Sequence, residues 1–280
     1  MRFKLPLYNE LRSDERAVSP AISTVILTSA IVVLLLVTIV FANNFLNARM
    51  AESEFSAMKQ FMQNVGLQID DVAWIPENAR TIRYASRFGQ VSFVPSALTY
   101  NVYVNGTVFL ANFTTGIIMF NMPIDKYSLG NGYYECLFPS NRSFLKTGAS
   151  APVSYVYVTE KLPMYGGSFI RVVVVPTIRM LNTTVTAPRS GANYSKFHLP
   201  ILTNGTLSYT SQSLTLTGKN VSVKTPESSV NVATIKINVT FPKSIFGFDE
   251  SFFNFERTEV VVNVQGSTVE FYTGEVRVSL

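Results

Sequence analysis

The chain has 280 residues, of which 47 % are hydrophobic and 15 % charged, with a formal net charge of +5 and a mean hydropathy of +0.22. One cysteine excludes an intrachain disulfide, and one histidine excludes a multi-histidine metal site. The basic residues are scattered along the chain, which argues against a dedicated nucleic-acid-binding protein.

An uncharged stretch of 32 residues, Ala17–Ala48, follows a short charged leader. Its apolar centre, Ala21–Ala42, has 22 residues, or roughly 33 Å as an α-helix, against a bilayer core of roughly 30 Å. We therefore expect one membrane-spanning segment. Basic residues before the apolar run favour the cytoplasmic side, so we expect the N-terminus inside and the bulk of the chain outside. These basic residues are Arg2, Lys4, Arg12 and Arg16.

Three interpretations of the apolar run remain open at this point. A secretory signal peptide would be cleaved after Ala42, but the apolar region of such a peptide usually has about 7–15 residues, and this one is longer. An uncleaved anchor would keep Met1. A prepilin-type leader would be cut on the cytoplasmic side, before the apolar run.

The sequence Arg16-Ala17-Val18-Ser19-Pro20 favours the third interpretation, since a basic residue and a small residue directly precede the apolar helix. Pro20 disfavours a helical conformation at Ser19 and suits a helix start. We therefore expect an extended, accessible backbone at the cleaved bond and a helix that begins at Ser19.

This segment closely resembles the N-terminus of archaeal type IV pilins, over roughly residues 12–45. The resemblance implies that a prepilin peptidase recognises Arg16, Ala17 and Val18 and removes the leader, residues 1–17. It also implies a pilin-type helix over 18–75 and an extracytoplasmic head over 76–280. Many family members have Gly where Ala17 stands. Ile22 occupies the position at which bacterial pilins carry Glu, which favours the archaeal branch.

The helical pattern continues beyond the apolar run as a heptad-spaced stripe and ends near Pro76. Two roles are open for this stripe: assembly with the helices of other copies, or cover for a sheet of the chain's own head. Gly66 weakens the helix and permits a bend. The stripe consists of Phe55, Met58, Met62, Val65, Ile69 and Val72.

Residues 80–280 alternate apolar and polar residues between turn signals, which is typical of β-strands. The strongest hairpin signal is Asn105-Gly106, and Asn204-Gly205 suggests another. The segment 115–150, rich in Gly, Asn and Pro, is interpreted as a long connection or an insertion. The fold class is therefore α+β, a long N-terminal helix followed by an antiparallel β-sandwich-like head. The predicted strands are Leu98–Val104, Thr107–Phe113, Val153–Thr159, Phe169–Val175, Thr206–Thr217, Asn231–Phe241, Glu259–Val264 and Val269–Val278.

The head contains eight Asn-x-Ser/Thr sequons, which an outside location would make available for N-glycosylation. We expect strand positions such as Asn238 to be poorer acceptors than the predicted loop positions Asn141 and Asn193. The candidate sites are Asn105, Asn112, Asn141, Asn182, Asn193, Asn204, Asn220 and Asn238.

No residue pattern predicts a catalytic or metal site. His198 has no acidic neighbour in sequence, and Cys136 is expected to be a small packing residue. The acidic residues around Phe252–Phe255 are interpreted as a solvated loop beside aromatic core residues. The mildly basic segment around Arg80, Arg83 and Arg87 is interpreted in the same way, as a solvated face. We expect no catalytic residues, no cofactor and no bound metal.

The sequence therefore predicts a structural, non-enzymatic subunit of an archaeal type IV pilus-like surface filament that acts in adhesion or motility, and the large head favours a minor subunit. Its expected partners are the membrane, a prepilin peptidase and other pilin helices, with surface glycans as candidate ligands and no specific nucleic acid. The expected location is a single-pass cell membrane before assembly and a surface filament afterwards. The alternative is an extracellular binding domain on an uncleaved anchor.

Overall fold

The computed structural model describes residues 15–164, 166–187, 190–206, 212–227 and 232–280. The chain forms two compact units, Met1–Met50 and Ala51–Leu280. Helix α1, Glu15–Ala73, contributes to both units. Most of the predicted leader, residues 1–14, lies outside the described residues.

Helix α1 has 59 residues and ends three residues before Pro76, where the sequence predicts its end. Pro76 disfavours a helical conformation at Ile75, whose N–H still donates to the Val72 carbonyl at 3.4 Å. The start differs from the prediction. The helix begins at Glu15 rather than at Ser19, so Pro20 lies inside the first two turns and Ser19 is helical.

The remaining described residues form thirteen strands and two short helical turns, Ser244–Phe246 and α2, Glu250–Phe253. The strands are β1 Ala79–Arg83, β2 Gln90–Val104, β3 Val108–Pro123, β4 Tyr133–Phe138, β5 Leu145–Thr147, β6 Ser154–Glu160, β7 Phe169–Pro176, β8 Ile178–Ala187, β9 Ser190–Asn204, β10 Ser213–Lys224, β11 Thr234–Thr240, β12 Glu259–Asn263 and β13 Ser267–Ser279.

These strands form two sheets. The seven-stranded sheet has the order β12-β11-β2-β3-β7-β6-β4 and is antiparallel throughout. The six-stranded sheet has the order β1-β10-β13-β9-β8-β5, and its β9–β13 and β5–β8 pairs are parallel. The predicted class, a long helix followed by largely antiparallel strands, is confirmed in this coarse form.

Two hydrophobic clusters lie on opposite faces of the seven-stranded sheet. The first joins that sheet to the six-stranded sheet, with Tyr100 of β2 and Phe197 of β9 fully buried. The second joins the other face to helix α1, as Phe120 of β3 and Met62 of the helix illustrate. Because side chains on a strand alternate between faces, strands such as β2, β3 and β7 supply both clusters. The seven-stranded sheet is therefore covered by helix over part of one face and by strands on the other.

Three glycines let the backbone of the helix end approach the strands closely. A Cβ at Gly274 would lie 2.2 Å from the Ala73 carbonyl oxygen, and one at Gly218 would lie 2.5 Å from the Ile75 carbonyl oxygen. A Cβ at Gly66 would lie 2.9 Å from Ser154 Oγ, which donates to the Gly66 carbonyl at 2.8 Å. Gly66 therefore allows a close contact between α1 and β6. The sequence pattern did not indicate this role for the glycine.

Most of the predicted strands are present, including β6, β7 and β13, whereas two predictions about connections between strands are wrong. Asn105 and Gly106 adopt positive φ angles of 51° and 78° in the turn between β2 and β3, so the hairpin is confirmed. The predicted connection 115–150 is wrong, because it contains the end of β3, all of β4 and all of β5. The Asn204-Gly205 hairpin is also wrong, since β9 and β10 do not pair with each other and instead lie on either side of β13.

Candidate functional site

Helix α1 carries an apolar surface with no cover in the first compact unit. From Ile22 to Met50 every side chain is exposed, and the large aliphatic and aromatic residues have relative exposures of 41–71 %. Among the described residues, this helix is the one that is long and apolar enough to span a membrane. A soluble monomer rarely exposes a contiguous apolar patch larger than a few hundred Å². By its length and composition, this segment could span a membrane.

The hydroxyl groups within this segment add little polarity, because they bond to the backbone of their own helix. Thr28 Oγ1 donates to the Thr24 carbonyl at 2.8 Å, Ser29 Oγ to the Ile26 carbonyl at 2.9 Å, and Thr38 Oγ1 to the Leu34 carbonyl at 2.7 Å. Such bonds satisfy a hydroxyl without an outside partner. The small polar residues are thus compatible with an apolar environment on every side of the helix.

The predicted processing residues Arg16, Ala17 and Val18 lie in the first turn of α1. The extended conformation that we expect at the cleaved bond is not present in this structure. A protease that requires an extended substrate would have to unwind this turn, and Pro20 weakens it because proline has no N–H to donate.

The heptad stripe faces the chain's own head and is not a surface for other copies. Phe55, Met58, Met62, Val65, Ile69 and Val72 are at most 2 % exposed and belong to the cluster that α1 forms with both sheets. Their assignment to helix assembly is therefore corrected, and the alternative role as cover for a sheet is the one observed. The reason is that the same spacing serves a neighbouring helix or the chain's own sheet equally well.

Charged side chains of the helix also bond within the head. Glu54 accepts from the N–H groups of Arg87 at 2.9 Å and Phe88 at 3.1 Å. Lys59 pairs with Glu135 of β4 at 2.6 Å, and Asp70 pairs with Arg179 of β8 at 2.7 Å. The helix end is thus held by polar bonds on both sides of its apolar stripe.

Seven of the eight sequon asparagines are exposed, and Asn238 is half-buried. Asn193 lies within β9 rather than in the predicted loop, because β8 and β9 pair as a long hairpin in which Thr184 is opposite Asn193. Asn101 of β2 is opposite both Asn112 of β3 and Asn238 of β11. Asn112 and Asn238 therefore lie on the same face of the seven-stranded sheet, with strand β2 between them.

His198 and Cys136 are both packed within the head. The His198 ring lies 5.2 Å from Trp74 and 5.1 Å from Tyr272, and burial, followed by Arg179, lowers its pKa. Cys136 Sγ donates to the Pro139 carbonyl at 2.7 Å, and burial raises the pKa of its thiol. A raised pKa disfavours the thiolate, which is the nucleophilic form of cysteine.

Asp249, one of the acidic residues near α2, has structural partners. Asp249 caps α2 by accepting from the Phe252 N–H at 3.0 Å and pairs with Lys161 at 2.6 Å. Burial acts to raise the pKa of Asp249, but the hydrogen bonds from Lys161, Ser251 and Phe252 leave it below its ordinary value. The described residues contain no group of three His, Cys, Asp or Glu side chains that could hold a metal ion.

The basic segment around Arg80, Arg83 and Arg87 is exposed. The aromatic residues between them, Tyr84 and Phe88, are partly buried against the second cluster. The observed arrangement is therefore a solvated arginine face over a packed aromatic layer.

Lys146 is a buried cation that the sequence pattern did not single out. It lies on β5 and is 6 % exposed. Its Nζ donates to the Ser154 carbonyl at 2.8 Å and to Thr177 Oγ1 at 3.1 Å, and no carboxylate among the described residues forms an ion pair with it. Burial lowers its pKa to about 7. Lys146 lies between Leu145 and Thr147, and nothing in this short segment of apolar and polar residues predicts that the lysine is buried.

Lys146 makes the stability of the head depend on pH. Above pH 7 the folded chain loses a proton that the unfolded chain keeps up to its ordinary pKa of 10.5. Stability therefore rises with pH in this interval, by about 2 kcal/mol between about pH 7 and pH 9. We expect denaturant unfolding of the full chain in detergent to follow this slope and Lys146→Met to flatten it. If the free energy of unfolding of Lys146→Met rises equally steeply with pH, a titratable group other than Lys146 causes the effect.

Comparisons of the chain with protein-family models, with curated proteins and with solved structures give no match in any of the three.

Proposed function

We propose that this chain is a structural subunit, of the minor kind, of an archaeal type IV pilus-like surface filament that acts in adhesion or motility. Its leader, residues 1–17, is removed by a prepilin peptidase that recognises Arg16, Ala17 and Val18. The segment 21–42 holds the chain in the membrane with the N-terminus inside. The head is a β-sandwich-like domain outside the cell.

One observation carries this proposal. The same helix is exposed and largely apolar over Ile22–Phe45 and buried along its stripe from Ala51 onward, where the head covers it. The head therefore uses the second part of the helix and leaves the first part without cover. In a membrane, acyl chains can surround the first part; in a filament, the helices of other subunits can replace them.

The two sheets and the sequons support the remaining parts of the proposal. Both sheets contribute to one buried cluster, which is the arrangement that a sandwich requires. All eight sequons lie in the second compact unit, and seven of their asparagines are exposed. A head outside the cell would present these residues for glycosylation and for contact with surfaces.

The N-terminus of the processed chain tests the proposal. We expect that co-expression with a prepilin peptidase yields a chain that begins at Val18, read by mass spectrometry. Met1 would indicate the uncleaved anchor of an extracellular binding domain, and Asn43 would indicate a signal peptide. Either outcome contradicts the pilin proposal.

Substitution at the cleaved bond provides the second arm of this test. Ala17→Leu places a bulky side chain next to the bond, so we expect processing and filament formation to be lost. Ala21→Leu, at the first residue of the apolar centre and four positions after Ala17, is the matched control and should be processed as the parent chain is. Filaments formed equally by both variants would contradict the assigned processing site.

A further inference from the structure

Strand β12 is an open edge of the seven-stranded sheet, because β11 is its one neighbour among the described strands. Just beyond β12, the Val264 N–H donates to the carbonyl of Ala233, just before β11, at 2.9 Å. Alternate residues of an antiparallel strand bond to the same neighbour, so the even-numbered residues of β12 direct their backbone groups toward β11. The N–H and carbonyl groups of Glu259, Val261 and Asn263 therefore point away from the sheet, toward no other described strand.

The side chains of β12 do not block the addition of another strand. Sheet edges of natural proteins are often protected by basic residues, proline or bulges. The open end of β10, beyond its pairing with β1, carries Lys219 and Lys224. Strand β12, in contrast, has the sequence Glu-Val-Val-Val-Asn, and its one charge, on Glu259, is paired with Lys236 at 2.7 Å. Its edge is therefore unprotected.

The valines of β12 are only partly covered by the head. Val261 is 57 % exposed and lies on the face that also carries Glu259 and Asn263, since side chains alternate along a strand. Val260 and Val262 lie on the opposite face, half-buried against the first hydrophobic cluster. A strand added at this edge would remove apolar surface on both faces from water, which favours association.

The residues of β12 complement a second copy of the same strand. In an antiparallel pair centred on Val261, the two Val261 residues are opposite each other, and Glu259 is opposite Asn263 of the second copy. All three positions direct their backbone groups outward, so each N–H and carbonyl group gains a partner. A carboxylate opposite an amide avoids the repulsion that like charges cause at opposite positions. A two-fold axis produces this arrangement, because each contact then occurs twice.

We propose that β12 pairs with β12 of a second copy of this chain, antiparallel and centred on Val261, so that the two seven-stranded sheets join into one. This inference goes beyond the filament proposal. It concerns the head alone and does not depend on leader processing or on contacts of the apolar helix. None of the β12 residues is a sequon asparagine.

A cysteine at the centre of the pair tests the contact. Opposite residues in a hydrogen-bonded pair have Cα atoms about 5.5 Å apart, a distance that a disulfide spans. The full chain is used in detergent micelles, with Cys136→Ser removing the one native thiol. We expect Val261→Cys to form a disulfide-linked dimer on mild oxidation, seen on a non-reducing gel.

The matched control is Val223→Cys, at a valine that is 47 % exposed and lies at the open end of β10. Its position is outside the proposed contact, so we expect this variant to remain monomeric. Equal dimer yields from the two variants would show association through the micelle or by chance collision. That result, or no dimer from Val261→Cys, overturns the proposal.

Two further substitutions test the register of the pair. With Val261 at the centre, residue 259 of one copy lies four positions, or roughly 13 Å, from residue 259 of the other. We therefore expect neither Glu259→Cys nor Asn263→Cys to crosslink by itself, whereas a mixture of the two gives a crosslinked heterodimer. Dimers formed as readily by either variant alone would contradict the proposed pairing.

Val261→Lys tests the contact without a covalent link. It places two ammonium groups opposite each other, and we expect the dissociation constant to rise at least about tenfold, since like charges across an interface are strongly unfavourable. Val223→Lys adds the same charge outside the contact and should leave the constant unchanged. Sedimentation of the full chain in detergent over a dilution series measures both. Equal constants for the two variants, or a parent chain that is monomeric at every concentration, would overturn the proposal.

Discussion

Ile69→Ala is expected to lower the free energy of unfolding of the head by about 2–5 kcal/mol, as removal of a buried aliphatic side chain does. Ile69 is 0 % exposed, whereas Leu67, two residues earlier on the same helix, is 50 % exposed. Leu67→Ala is therefore the matched control and should change the free energy by less than about 0.5 kcal/mol. Denaturant unfolding of the full chain in detergent measures both values.

The difference between these variants decides which way the stripe faces in solution. If the stripe served contacts between copies instead, Ile69→Ala would leave the unassembled chain as stable as the parent and would weaken assembly alone. That result would contradict the docking of the stripe on the head's own strands.

Gly274→Ala is expected to lower the free energy of unfolding by about 3 kcal/mol, the upper end of the usual cost of overpacking, because a Cβ there would lie 2.2 Å from the backbone carbonyl oxygen of Ala73. Either the end of α1 or strand β13 must move to admit it. Gly130→Ala is the control: its φ is +103° and nothing lies within 4 Å of the added Cβ, so the backbone conformation alone should cost about 1–2 kcal/mol.

Thermal unfolding and hydrogen exchange measure this effect in two ways. In Gly274→Ala we expect faster amide exchange at the end of α1, around Ile69–Ala73, since the contact that holds it is lost. Equal melting temperatures for the two glycine variants, with unchanged exchange in the helix, would show that the close approach does not stabilise the head.

Ile69→Ala and Gly274→Ala both test contacts of the second part of α1, which the head covers. Neither substitution changes the exposed first part of the helix. Filament or membrane contacts should depend on residues such as Leu34 and Phe41, which are 65 % and 71 % exposed. Stability of the head should depend on the stripe. One continuous helix thus contains residues that are buried in the head and residues that are exposed.

The local features of this protein could be predicted from the sequence. The absence of charge from Ala17 to Ala48 predicts the apolar helix, Pro76 predicts its end, and Asn105-Gly106 predicts the β2–β3 hairpin. Each depends on neighbouring residues only: hydropathy along a helix, the missing N–H of proline, and the positive φ that Asn and Gly tolerate.

The surroundings of the candidate functional residues could be identified only from the tertiary structure. The heptad spacing of the stripe is the same for a neighbouring helix as for the chain's own sheet, so it could not show which partner is present. The parallel pairing of β9 with β13 joins residues about 75 positions apart, and no local pattern encodes such a contact. Lys146 has a lowered pKa because β5 is covered by distant segments. Sequence by itself determined where apolar surface exists on this chain, and tertiary structure decided which of that surface is covered, because burial depends on contacts between segments far apart in the chain.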